Sequence, residues 1–119
     1  MMRNVYPRAR LEAAAVGIFF WATLLIPDVS FAMDGAQLFA SKCTPCHGPK
    51  GQGTPVGPTL KGDPFIIQGA PAEIKKVIMM GRTEKEKKYA NIANPMPSGM
   101  ASEAEADALV IYLKGDLQK

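Results

Sequence analysis

The 119-residue sequence holds one histidine, His47, and two cysteines, Cys43 and Cys46. So thin a supply of ligating and nucleophilic side chains excludes a good deal. A Ser-His-Asp triad or a two-histidine metal site would have to use His47 or not exist. A closed zinc site takes about four Cys or His ligands, and only three are present. Two cysteines make one disulfide at most, so no multi-bridge framework is possible. Charge of one sign is also scarce. Fourteen Lys and Arg against 11 Asp and Glu leave a formal net charge of +3, too mild for a nucleic-acid-binding footprint. There is no internal repeat and no strand-like alternation, and the length suits one small domain.

Long apolar runs are limited to one, Ala13 to Ile26, broken by Thr23. Arg3, Arg8 and Arg10 precede it, and Ser30 and Ala32 supply small residues after it. Basic start, apolar centre and small-residue end are the three parts of a secretory signal, with the cut expected after Ala32. Glu12 and Asp28 bound the run, which is too short for the roughly 18 residues of a bilayer span. An uncleaved anchor tethering the domain is the alternative. The expected organisation is a signal peptide over 1–32 and a folded domain over 33–119, working in an oxidising compartment, the periplasm. A domain so small is marginal without a staple, and a large bound cofactor would serve better than one disulfide.

Within 33–119 the pattern is helical. Asp34 caps a first helix, with Gln37 placed for a capping box, and helical spacing carries on to Cys43. Gly48 to Pro71 is dense in glycine and proline, so little beyond short turns is expected. Ala72 to Met80 is a second helix, started by Pro71 and ended by Gly81, with Ile74, Val77 and Ile78 as its apolar stripe. Met79 and Met80 at its end take a core role by default. Asn94 to Gly99, with Pro95 and Pro97, cannot be helical. Ser102 and Glu105 form a capping box opening a third helix to about Lys114, with Leu109, Tyr112 and Leu113 inward. The fold class is all-α: three main helices with long loops.

Cys43-Thr44-Pro45-Cys46-His47 carries the chemistry. On a helical turn Cys43, Cys46 and His47 fall at i, i+3 and i+4, on one face. Two thiols and an imidazole on one face suit attachment of a haem through two vinyl groups and ligation of its iron from one side. A thioredoxin-like redox pair would want a βαβ surround, a zinc site lacks its fourth ligand, and a structural disulfide leaves the adjacent histidine to coincidence.

The chain resembles the class I c-type cytochromes over residues 34–115. Gly35 and Phe39 resemble the glycine and aromatic pair of the family's N-terminal helix, and Leu109, Tyr112 and Leu113 the apolar set of its C-terminal helix. The resemblance implies a cytochrome c fold around one covalent haem c, with these two helices crossing where glycine permits close approach. Gly57-Pro58-Thr59-Leu60 resembles the segment whose proline carbonyl accepts a hydrogen bond from the proximal histidine, so Pro58 and Leu60 join the expected cofactor-binding set.

The same resemblance implies a thioether as sixth ligand, since Met/His is the usual cytochrome c pair. Met96, between Pro95 and Pro97 ahead of the last helix, matches the family's Met-Pro pattern. Met100 is the rival, and Met79, Met80 or an open site are the remaining options. A His/Met iron has no vacant position, which implies a soluble carrier of single electrons between periplasmic redox partners, monomeric and not an enzyme. A haem subunit of a larger oxidoreductase complex and a small peroxidase with a labile distal Met are the alternatives. The peroxidase lacks an evident distal His/Arg pair, Arg82 being the only arginine left after cleavage. Lys42, Lys50 and Lys61 flank the haem-binding segment as a possible rim for an acidic partner or as ordinary solubilising charge. The charged run from Arg82 to Lys88 is where the chain looks longest against the family pattern. Because the cofactor would complete the core, the haem-free chain should be largely unfolded; a native-like circular dichroism spectrum without haem would contradict this.

Overall fold

The computed structural model describes residues 32–119. Apart from Ala32, the export segment read at 1–32 lies outside the described residues. Among the described residues there is no strand, and no helix is long and apolar enough to cross a membrane.

The N-terminal helical segment has three parts. An α turn Gly35–Leu38 (α1) leads into a π-helical turn Phe39–Cys43, then a second α turn Thr44–His47 (α2). Asp34 caps α1 by accepting from the Ala36 N–H at 2.9 Å. The expected reciprocal bond from Gln37 is absent among the described residues, and the Gln37 side chain is exposed. A five-residue helix, Pro64–Gln68 (α3), lies inside the glycine- and proline-rich stretch where only turns were expected. Its start is legible in hindsight: Asp63 Oδ1 accepts from the Phe65 and Ile66 N–H groups, and Pro64 occupies the first turn, where its missing donor costs nothing. Pro71–Met80 (α4) and Glu103–Lys114 (α5) follow, α5 opened by the expected Ser102–Glu105 capping box. Short 3₁₀ turns cover Glu84–Glu86 and Asp116–Gln118.

The α1 turn crosses α5, which also takes α4 on its side. At the first crossing Gly35 lies so close to α5 that a Cβ there would stand 2.4 Å from the Ala108 carbonyl oxygen and 2.7 Å from Tyr112 Cβ. One turn on, Phe39 is fully buried, its ring centroid 5.4 Å from that of Tyr112 in a tilted pair. Phe39, Ile74 and Leu109, one from each of three helical segments, are the largest fully buried side chains. Of the expected stripes, Ile74 and Ile78 of α4 and Leu109 and Leu113 of α5 are buried in the core, Tyr112 packs against it, and Val77 is half-buried outside the cluster. Met79 packs against it, but Met80 does not, being 67% exposed. Two residues past Ile78 is about 200° around the helix, which turns Met80 away from the buried face.

Polar groups tie the segments together. Lys114 Nζ donates to the carbonyls of Ile66, Ile67 and Gly69 at 3.0, 3.1 and 2.7 Å, closing the C-terminal end of α3 onto α5. Lys42 Nζ lies 2.8 Å from both Glu105 carboxylate oxygens. Of the three lysines of the suggested docking rim, this one is therefore engaged within the fold, while Lys50 and Lys61 are exposed. The Lys42 hydrogen bond, followed by that from the Ser102 N–H, lowers the Glu105 pKa below its ordinary 4.5.

Two outcomes follow. Gly35→Ala should lower stability by about 1–3 kcal/mol, the usual cost of forcing an extra carbon into a closed contact, read as a drop in thermal midpoint. Because the folded pKa of Glu105 is depressed, its contribution is present above pH 4.5 and is lost as pH falls through the depressed value. Glu105→Gln should therefore flatten the fall of the thermal midpoint below that pH; an unchanged acid limb would contradict the pairing.

Candidate functional site

The site is built from the end of α2 and the loop that returns to it. The loop folds back through a set of short bonds. The Gly53 N–H donates to the His47 carbonyl at 2.8 Å, and Thr54 Oγ1 donates to the Cys46 carbonyl at 2.6 Å. Gly57 then passes so close that a Cβ would stand 2.3 Å from the Cys46 carbonyl oxygen. Only a residue without a side chain fits there, and the contact delivers the next residue, Pro58, to the imidazole. The Pro58 carbonyl oxygen lies 2.8 Å from His47 Nδ1. A carbonyl can only accept, so Nδ1 carries the proton and donates. In the neutral ring Nε2 is then left with a free lone pair, the state in which imidazole binds a metal.

His47 is 8% exposed, and with Asp63 it is one of two buried polar residues among those described. Its ring lines two adjoining clefts whose empty space, open mouths included, is about 790 and 970 Å³. Ligand sites fall broadly within about 300–1,000 Å³. Cys43, Pro58, Ile78, Met96 and Leu109 also line both clefts; Leu60 lines the first and Cys46 the second. The core residues Ile66, Ile74 and Leu113 form further walls of the first. A cavity walled by the core itself is what a large flat apolar group with ligating needs on two sides would occupy, and the residues present fit haem.

The sequence-nominated residues thus share one region. Among the methionines, Met96 is half-buried and borders both clefts, and Met100 borders only the second. Met79 and Met80 border neither. The other readings of the Cys pair find no support in the geometry. The two cysteines are unbridged. Burial pushes the Cys43 thiol up to about 11, whereas redox exchange uses a depressed thiolate. Among the described residues no three His, Cys, Asp or Glu side chains converge as a metal cage.

Sequence reasoning missed the far side of the first cleft. Arg82, Lys87, Lys88, Tyr89 and Asp63 line it. The Tyr89 hydroxyl donates to Asp63 Oδ2. Burial first, then this hydrogen bond, push the Tyr89 pKa up to about 12. The Arg82 guanidinium and Lys88 Nζ lie 5.1 and 4.9 Å from the centroid of the Phe65 ring. The run from Arg82 to Lys88 stands out for its charge and for its length against the family pattern, and nothing in its composition points to Tyr89 pairing with a residue 26 positions away.

Comparison with known proteins agrees with this geometry. The cytochrome c family model matches residues 32–115. Among solved structures, the c-type cytochrome XoxG from Methylobacterium extorquens AM1 superposes with a TM-score of 0.53 at 23% identity. That match covers 71% of this chain and 48% of XoxG, so the chain spans about half the length of that protein. The c-type cytochrome NirC matches with a TM-score of 0.50 at 27% identity, over 69% of this chain and 86% of its own. The KustC0563 c-type cytochrome matches with a TM-score of 0.50 at 20% identity, over 70% and 96%. Cys43, Cys46 and His47 fit the Cys-x-x-Cys-His attachment pattern, and the cofactor is covalently bound haem c. The all-α fold, the histidine-bearing cleft and the family match lead to one conclusion: the chain belongs to the cytochrome c family.

Proposed function

We propose that the protein is an exported, monomeric carrier of single electrons between redox proteins, its iron held by His47 on one side and Met96 on the other. The observation that carries this reading is the His47–Pro58 hydrogen bond at 2.8 Å in a cleft that Met96 also lines. Family membership supports the electron-transfer role. Bound haem supplies reversible one-electron chemistry between ferric and ferrous iron.

The chain's own residues do the rest. The Cys43 and Cys46 sulfurs tether the group through thioethers. The Pro58 carbonyl holds the His47 ring in one orientation and raises the basicity of Nε2. Met96 would supply the sixth ligand, which would leave no place for substrate, and its soft sulfur would favour a raised potential. The apolar walls from α4 and α5 limit water around the iron. Arg82, the one arginine left by the expected cleavage, stacks on Phe65 and donates to the Glu86 carbonyl at 3.4 Å. The exported location is supported by the signal-like segment over 1–32, with the domain beginning at 33.

A methionine series read by near-infrared spectroscopy tests the ligand assignment. Met96→Ala should abolish the ferric iron–thioether charge-transfer band, and Met100→Ala should leave it. The reverse pattern would transfer the role to Met100, and a high-spin ferric wild type would overturn the carrier reading.

A further inference from the structure

We propose that Tyr89 and Asp63 are positioning residues: their hydrogen bond latches the 82–96 segment over the haem cleft and so controls how readily Met96 leaves the iron. The inference rests on Met96 being the distal ligand.

The segment has the build of a closed loop. Its two ends meet where the Arg82 N–H donates to the Met96 carbonyl at 2.9 Å, so Met96 stands at the neck. Compact loops of 6–16 residues with adjoining ends are held mainly by their own side chains. That holds here. Thr83 and Glu86 bond each other, Lys87 Nζ donates to the Ala93 carbonyl, and the Ile92 N–H donates to the Tyr89 carbonyl. Among the described residues, the only hydrogen bond leaving 82–96 is the one from the Tyr89 hydroxyl to Asp63.

Its acceptor is well fixed. Asp63 is 6% exposed, and its other carboxylate oxygen caps α3. The landing point therefore cannot follow the loop if the loop moves. The cation contacts of Arg82 and Lys88 fall on Phe65 of the same short helix. Between latch and neck, Ile92, Asn94 and Pro95 line the cleft, with Ile92 buried. Lifting the tip would open the cleft to water beside Met96. The high Tyr89 pKa keeps the phenol protonated, and so able to donate, over the ordinary pH range.

The test uses the ferric holoprotein, with free imidazole as the incoming ligand. Imidazole binding at saturation requires the Met96 sulfur to leave the iron and the loop to admit the new nitrogen. Tyr89→Phe deletes only the hydroxyl. It should raise the limiting rate about tenfold, the ratio lost with one hydrogen bond to a charged group. Amide hydrogen exchange across 83–95 should quicken by a similar factor, with the resting charge-transfer band unchanged. In Asp63→Asn a single carbonyl oxygen must serve either the α3 cap or the Tyr89 hydroxyl, with the amide NH2 left to donate to the phenol oxygen in the first case, so its rate should lie between those of wild type and Tyr89→Phe. A Tyr89→Phe rate within twofold of wild type would overturn the proposal, and so would faster exchange with an unchanged imidazole rate. Failure of the ligand assignment shows separately, as a charge-transfer band that survives in Met96→Ala.

Discussion

The hydrogen bond from His47 to the Pro58 carbonyl is the constraint around which the rest is arranged. It decides the tautomer, and the tautomer decides which nitrogen can meet the iron. For the bond to form, a carbonyl eleven residues downstream must be brought beside the ring and held there. The whole 48–60 turn serves that end. Its amides and hydroxyl fasten it to the carbonyls of Cys46 and His47, and Gly57 lets the backbone pass where a side chain would collide. Leu60 continues the same path, its N–H donating to the Gly51 carbonyl at 2.7 Å before the side chain reaches the first cleft.

The second constraint is size. A chain this small buries a smaller share of its surface than a larger domain does, and its stability is marginal. The described helices bury Phe39, Ile74 and Leu109 completely, yet Ile74 and Leu109 also form cavity wall. Core and binding site are thus one apolar surface with two sides. A cofactor seated there would complete the core as well as react, and polar clasps such as Lys114 on the carbonyls of Ile66, Ile67 and Gly69 hold the frame around the cavity.

What could be read from the sequence divides along a physical line. Cys43, Cys46 and His47 lie within one turn, so local geometry alone placed them together. The α4 and α5 stripes were visible because periodicity is a local signal, and the Ser102–Glu105 cap because its two partners are three residues apart. Pro58, Leu60 and Met96 needed the family resemblance, since no local pattern joins them to His47. The Tyr89–Asp63 bond had neither kind of signal: its partners are 26 residues apart, one in the glycine- and proline-rich stretch and the other just past the charged run. Met80 shows the opposite failure. Its apolar side chain suggested the core, but its angular position on α4 places it in water.

The π-helical turn at Phe39–Cys43 sits between the residue that anchors the N-terminal segment in the core and the first residue of the attachment motif. Such a turn carries one residue more than an α turn over the same rise. Were the same residues wound as a plain α-helix instead, everything beyond the turn would be rotated relative to Phe39 by about 100°, the angle one further residue adds. Cys43, Cys46 and His47 would then face away from the cavity. The π turn therefore acts as a ruler: it takes up the extra residue between Phe39 and Cys43 and so keeps Cys43, Cys46 and His47 turned to the cavity.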